Sequence, residues 1–402
     1  MTQVRLAAVR YWLVAATSPE ILVDTHLARR QQVAALTGLR GFAALAVMVV
    51  HSTVLTAFPW LGFHTYGPIA LFTLSGFLLF QPWSRWLLGL SERPDIRRFA
   101  HRRFWRIFPP YLVVALLVMA IHTPTRPGDA GSWIRNLTLT HIYVQGDLQR
   151  ELNHTWSLAT ELSWYVALPL GGLAVGLVLK RFLYSPTTAV VVVAVLAIAL
   201  SLAWKVWIYE SVTSLSWRYR MLMWLPAYAA CFAGGALLGH LSISAAAQRR
   251  ARMIMAWGAR HQVLVLTGAL ACGVLGASRL GGPWDFVTRH ALSEQLVRFG
   301  GMTGMALLLL FAVAASPSES IPDRLFGNRV MQAIGRWSYG LYLWHIPVIL
   351  ALVEVTQIRS GLGGLVLWLG LVALCAIPLA AATYHFVERP AMAWAGRIPP
   401  AR

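Results

Sequence analysis

Apolar runs of near-membrane length, parted by short polar segments, recur along the whole chain: 36–58, 67–88, 107–123, 156–179, 187–208, 221–241, 262–278, 299–316, 331–353 and 361–386. A bilayer core of about 30 Å is crossed by roughly 20 apolar residues in a helix. The pattern therefore predicts an all-α, polytopic membrane protein with about ten transmembrane helices. Glycine dilutes the seventh and eighth runs. Residues 1–35 read as a cytoplasmic N-terminal or interfacial segment, 36–391 as the transmembrane domain and 392–402 as a cytoplasmic tail. Hydrophobic residues make up 57% of the chain and charged ones only 12%, which excludes a water-soluble globule.

Charge sets the expected orientation. With a cytoplasmic N-terminus, about 24 of the 34 lysines and arginines fall on inner segments and about nine on outer ones, while Lys205 lies within a span. The formal charge of +19 is then a topology signal plus attraction to anionic lipid, not a nucleic-acid interface. The expected location is a bacterial plasma (inner) membrane with both termini cytoplasmic. Arg5 and Arg10 before the short apolar stretch Tyr11 to Ala16 imitate a signal peptide, but cleavage there would invert every loop against the charge bias. Cys231, Cys272 and Cys375 sit in separate spans, so neither a disulfide framework nor a zinc or other metal site is expected.

Four constellations carry chemistry. Arg40 and His51 lie eleven residues apart in the first run; at 100° and 1.5 Å per residue they share a helix face about 16 Å apart along the axis. Ionisable groups in a span are costly and mark function by default. Arg103 and Arg106 form an i, i+3 pair at the membrane surface, suited to fork onto phosphate oxygens or, equally, to snorkel to lipid. Ser157, Glu161 and Tyr165 recur every four residues and share a face of the fourth run; Glu161, about two turns in, needs a histidine or arginine partner, in catalysis or in a structural ion pair. His154 and Asn153 just outside it are expected to face water. In the ninth run Ser338, Tyr342 and His345 share one face, while Trp337, Leu341 and Trp344 form a packing face. Thr73, Ser75 and Gly76 add small polar groups at mid-depth of the second run, for close approach of a ligand or for helix packing.

In this order the segments resemble one family. Arg40 with His51 looks like the Arg-x10-His signature of the acyltransferase-3 integral membrane family. Phe72-Thr73-Leu74-Ser75-Gly76-Phe77 resembles its Ser-Gly-Phe segment, Arg103 to Arg106 its Arg-x-x-Arg, and Trp156-Ser157-Leu158-Ala159-Thr160-Glu161 its Trp-Ser-Leu-x-x-Glu. Ser338 to His345, with Arg336 before it, and Val387-Glu388-Arg389-Pro390 complete the series over about residues 36–391.

The resemblance implies transfer of an acyl group from cytoplasmic acyl-CoA to a hydroxyl of a cell-envelope saccharide, glycolipid or other glycoside, with no permanently bound cofactor. A pantetheine arm matches the spacing of Arg40 and His51. On that reading Arg40, Arg103, Arg106 and Arg336, with Ser75 and Gly76, bind acyl-CoA, and His51 is the general base. Glu161 orients the base, and Ser157, Tyr165, Tyr342 and His345 line the acceptor pocket. Two positions depart from the family pattern: Leu162 stands where a second acid is common, and Thr37 where an Asp is common before Gly-Leu-Arg. The chain also ends before any C-terminal hydrolase-like domain of the kind some relatives carry, so a single membrane site or a separate partner must complete the transfer. A transporter or flippase for a lipid-linked glycan is the alternative from another class.

Overall fold

The structure is a computed structural model; it describes residues 19–397 apart from 63–64, 122–126, 147, 183–184, 285–289, 318 and 358–360, with the side chains of 19–31, 62, 178 and 180 also left aside. The first eighteen residues of the expected N-terminal segment, with Arg5, Arg10 and the stretch Tyr11 to Ala16, lie outside the described residues, as do the last five of the expected tail.

The chain is an all-helical bundle. In order come α1 (Pro19–Thr53), α2 (Tyr66–Leu87), α3 (Ile96–Ile121), α4 (Ala130–Leu137), α5 (Trp156–Arg181), α6 (Pro186–Ser211), α7 (Leu215–Met221), α8 (Leu225–Ser244), α9 (Arg249–Arg260), α10 (Gln262–Ala277), α11 (Leu292–Ala315), α12 (Ile321–Phe326), α13 (Arg329–Val355), α14 (Gly361–Thr383) and α15 (Arg389–Gly396). Among the described residues nine helical stretches are long and apolar enough to cross a membrane, or ten if α9 and α10 together make one. The protein is thus an integral membrane protein, as the hydropathy pattern predicts.

The seventh run behaves differently from the others. The 16-residue α10 meets α9 at 83°, and at 1.5 Å per residue it is about 24 Å long, shorter than a bilayer core. Helix α9 buries Ala251 and Gly258 against the bundle, Gly258 beneath Phe311, and exposes Arg249, Arg250, Arg252 and Arg260. One-sided basic amphipathic character of this kind suits a helix lying along a membrane surface.

Two close helix crossings position the interior. Gly41 of α1 lies against Gly335 of α13, where an added Cβ on Gly41 would come within 2.8 Å of the Gly335 amide nitrogen. On α2 and α8, Gly76 and Gly235 press against the backbone carbonyls of Phe232 and Thr73, and Gly239 against that of Phe77. Without side chains at these points the backbones touch, the small-residue packing that replaces the hydrophobic drive in lipid. At the other end of the chain a π-helical turn, Tyr384–Glu388, joins α14 to α15, with the Arg389 N–H reaching back to the Tyr384 carbonyl. The extra residue shifts the helical register, and Glu388 is buried at 2% exposure.

Candidate active site

Five helices converge on a cavity of about 160 Å³, lined by Arg40 of α1, Ser75 of α2, Arg103 and Arg106 of α3, Ser157, Glu161 and Tyr165 of α5, and Ser338, Tyr339 and Tyr342 of α13, with leucines between them. Arg40 has Arg106, Glu161, Arg103 and Glu388 as its electrostatic neighbours. None of the three arginines is in an ion pair or a side-chain hydrogen bond among the described residues. The Arg103 guanidinium lies 5.8 Å from the Phe99 ring centre and 5.7 Å from that of Tyr165, and its Nε is buried without a hydrogen-bond partner. Three cations against two carboxylates, with guanidinium donors unspent, make an anion-receiving site.

Glu161 is placed by its own helix. Its Oε1 accepts from Ser75 Oγ at 2.8 Å and from Tyr165 OH, one turn further along α5, at 2.8 Å. The expected pairing of Glu161 with His51 does not form: the carboxylate sits among the arginines, and its hydrogen bonds go to Ser75 and Tyr165. Sequence spacing gives the face of α5 but not which neighbouring helix meets it.

His51 belongs to a separate cluster. Its Nδ1 lies 2.8 Å from the Val47 carbonyl oxygen. A carbonyl can only accept, so Nδ1 carries the proton and in the neutral ring the accepting lone pair is on Nε2. The His345 ring centre is 5.0 Å from that of His51, and the His154 ring is 4.7 Å from His345. His345, wholly buried, holds its Nδ1 2.6 Å from the Tyr342 carbonyl, and its Nε2 has no hydrogen-bond partner. Between cluster and cavity stands Tyr342, whose hydroxyl donates to the His154 carbonyl and lies 2.9 Å from Ser157 Oγ.

Several expectations change. Arg336 is exposed and does not line the cavity. Gly76 serves the contact with Phe232, not ligand approach; Ser75 does face the cavity but spends its hydroxyl on Glu161. His345 packs beyond the cavity wall rather than lining it. His154, expected in water, is 4% exposed because the turn Arg150–Thr155 folds back under α13. Ser157, Tyr165 and Tyr342 do line the cavity, and Trp344 fills the packing face with its indole N–H on Thr383 Oγ1 at 2.8 Å. Sequence reasoning missed Tyr339, whose hydroxyl donates to the Ile107 carbonyl at 2.8 Å. It also gave no role to Glu388, which faces Arg106 and Arg40; its place in the final Glu-Arg-Pro segment was the available signal.

The sequence profile of the acyltransferase domain family, Acyl_transf_3, matches residues 33–387, a stretch that holds every residue of this constellation except Glu388. The chain belongs to the acyltransferase-3 family. Within it, the chain is similar to peptidoglycan O-acetyltransferase OatA of Listeria monocytogenes, at 24% identity over 90% of this chain and 56% of the relative. It resembles putative peptidoglycan O-acetyltransferase YrhL of Bacillus subtilis at 27% identity over 88% of this chain and 54% of that one. Acyltransferase MdmB of Streptomyces mycarofaciens matches at 32% identity over 34% of this chain and 38% of its own length. The chain thus spans little more than half of the two longer matches. No solved structure matches it.

Proposed function

We propose that this acyltransferase-3 chain is a membrane O-acyltransferase that moves an acyl group from acyl-CoA to a hydroxyl of a cell-envelope saccharide, glycolipid or other glycoside. The observation that carries the reading is the convergence of Arg40, Arg103 and Arg106, none of them ion-paired among the described residues, on one cavity, with a proton-accepting imidazole about 16 Å further along the helix that carries Arg40. Phosphates held by the arginines would leave an extended donor arm to bring the thioester toward His51. His51 Nε2 takes the acceptor's hydroxyl proton, the oxygen attacks the thioester carbonyl, and the C–S bond breaks. Glu161 fixes Ser75 and Tyr165 in the cavity wall instead of orienting the base. The arginine end would face the cytoplasm, where acyl-CoA is found, in a plasma membrane with both termini on that side. The relatives named as peptidoglycan O-acetyltransferases favour an acetyl group and a glycan hydroxyl.

Mass spectrometry of envelope glycans and glycolipids from cells with and without the protein tests this directly. The expected result is an ester missing from the deletion and restored by the wild-type chain but not by His51→Ala. Purified protein that binds no acyl-CoA, or releases no thiol on adding that glycan, would overturn the reading in favour of transport.

A further inference from the structure

His345, His154 and His141 have no part in the transfer as drawn above, yet all are buried, at 0%, 4% and 1% exposure. They continue the line begun by His51. Ring centres step 5.0 Å from His51 to His345 and 4.7 Å from His345 to His154, and His141 is an electrostatic neighbour of His154. His141 opens the turn His141–Tyr143, where Tyr143 and Val144 are exposed at 40% and 39%. The series therefore runs from the base to the turn that carries the exposed Tyr143 and Val144, at the end away from the arginines, and on the cavity side the wall is Tyr342 and Ser157. Among the described residues the other titratable or charged groups along it include Tyr342 on α13, Tyr111 on α3, Glu151 in the same turn as His154, and Arg220, which donates to the His141 carbonyl at 3.0 Å.

A base that has just taken a proton must lose it before the next turnover, and Glu161 does not take it, being committed to Ser75 and Tyr165. The neighbouring His345 instead offers Nε2, a buried acceptor with no hydrogen-bond partner. We propose that His51, His345, His154 and His141 form a proton exit, so that each acyl transfer releases one proton at the end of the bundle opposite the donor cavity. The proposal rests on the acyl-transfer reading. The acceptor O–H breaks and its proton goes to His51 Nε2; the ester C–O bond forms as the thioester C–S bond breaks. The departing thiolate takes a proton from water on the arginine side, while the proton on His51 passes to His345, His154 and His141 and then to water at the far end. One proton is consumed on one side and one released on the other for each ester made. His345 and His154 are relay residues, not groups that touch substrate.

Proteoliposomes test this with acetyl-CoA outside and muramidase-digested peptidoglycan plus a pH-sensitive dye inside, so that only molecules with the arginine end outward react. Thiol release outside is counted against acidification inside. The expected ratio is one interior proton per thiol. In His345→Gln turnover should fall tenfold or more and recover on adding imidazole, a rescue that a purely structural loss would not show. Thiol release without interior acidification means that the proton returns to the thiolate, and overturns the exit while leaving acyl transfer intact. A His345→Gln protein with unchanged turnover and acidification overturns it as well. No thiol release from the wild-type protein would overturn acyl transfer to this acceptor and the exit together.

Discussion

The two ends of the polar interior are built on opposite principles. At one end three guanidinium groups and Glu161 line a cavity, with Glu388 as a further neighbour of Arg106 and Arg40, and the cations keep donors unspent. At the other, histidines pack ring against ring. Both ends share α1 and α13, so the difference is not one of scaffold. A charged end that holds its hydrogen bonds in reserve suits the capture of a multiply charged ligand. A dense imidazole end, where carbonyl contacts fix the tautomers of His51 and His345, suits the handling of single protons.

The sharpest break of that comparison is His51→Ala. Loss of a general base costs about 10²–10⁴-fold in turnover, while acyl-CoA affinity, set at the other end, should stay within twofold. Paired turnover and calorimetric titration check it, and a large loss of affinity would show that the ends are not separate. Turnover of the wild-type protein should also drop in acid, because a protonated ring cannot take the hydroxyl proton.

Next in size is Arg106→Ala. Removing a charge-assisted contact to phosphate costs about 1.5–3 kcal/mol, or roughly ten- to 150-fold in affinity, and the loss should shrink as salt rises. Unchanged binding would return Arg103 and Arg106 to a lipid-facing role. Glu388→Gln should act in the opposite direction. Taking one carboxylate from the rim of an anion site should tighten acyl-CoA binding a few-fold, on the order of 1 kcal/mol, with the same titration as readout. The smallest effect belongs to Arg336→Ala: an exposed arginine outside the cavity should change affinity by less than about 0.5 kcal/mol, and a larger loss would extend the donor site along α13.

The helical plan was legible because lipid imposes one rule on every span, and run length reports it directly. Legible too was that Arg40 and His51 ride one helix, since a single apolar run carries both. What spacing could not supply was the partner across a helix gap. Glu161 meets Ser75 rather than His51 because the choice depends on how α5 rotates and leans against α2, which no local pattern encodes. His154 was misread for a related reason: it precedes the span, and only the fold-back of its turn under α13 buries it. Glu388 escaped because a π-helical turn breaks the 3.6-residue period on which face assignments rest.

The crossing at Gly41 and Gly335 has a mechanical consequence. Where two backbones touch, neither helix can slide or rotate against the other without steric overlap. Helices α1 and α13 therefore behave as one beam, carrying Arg40, His51, Ser338, Tyr342 and His345 in fixed register. Any breathing that admits a substrate must come from the other walls, α2, α3 and α5, swinging like a door against a fixed jamb.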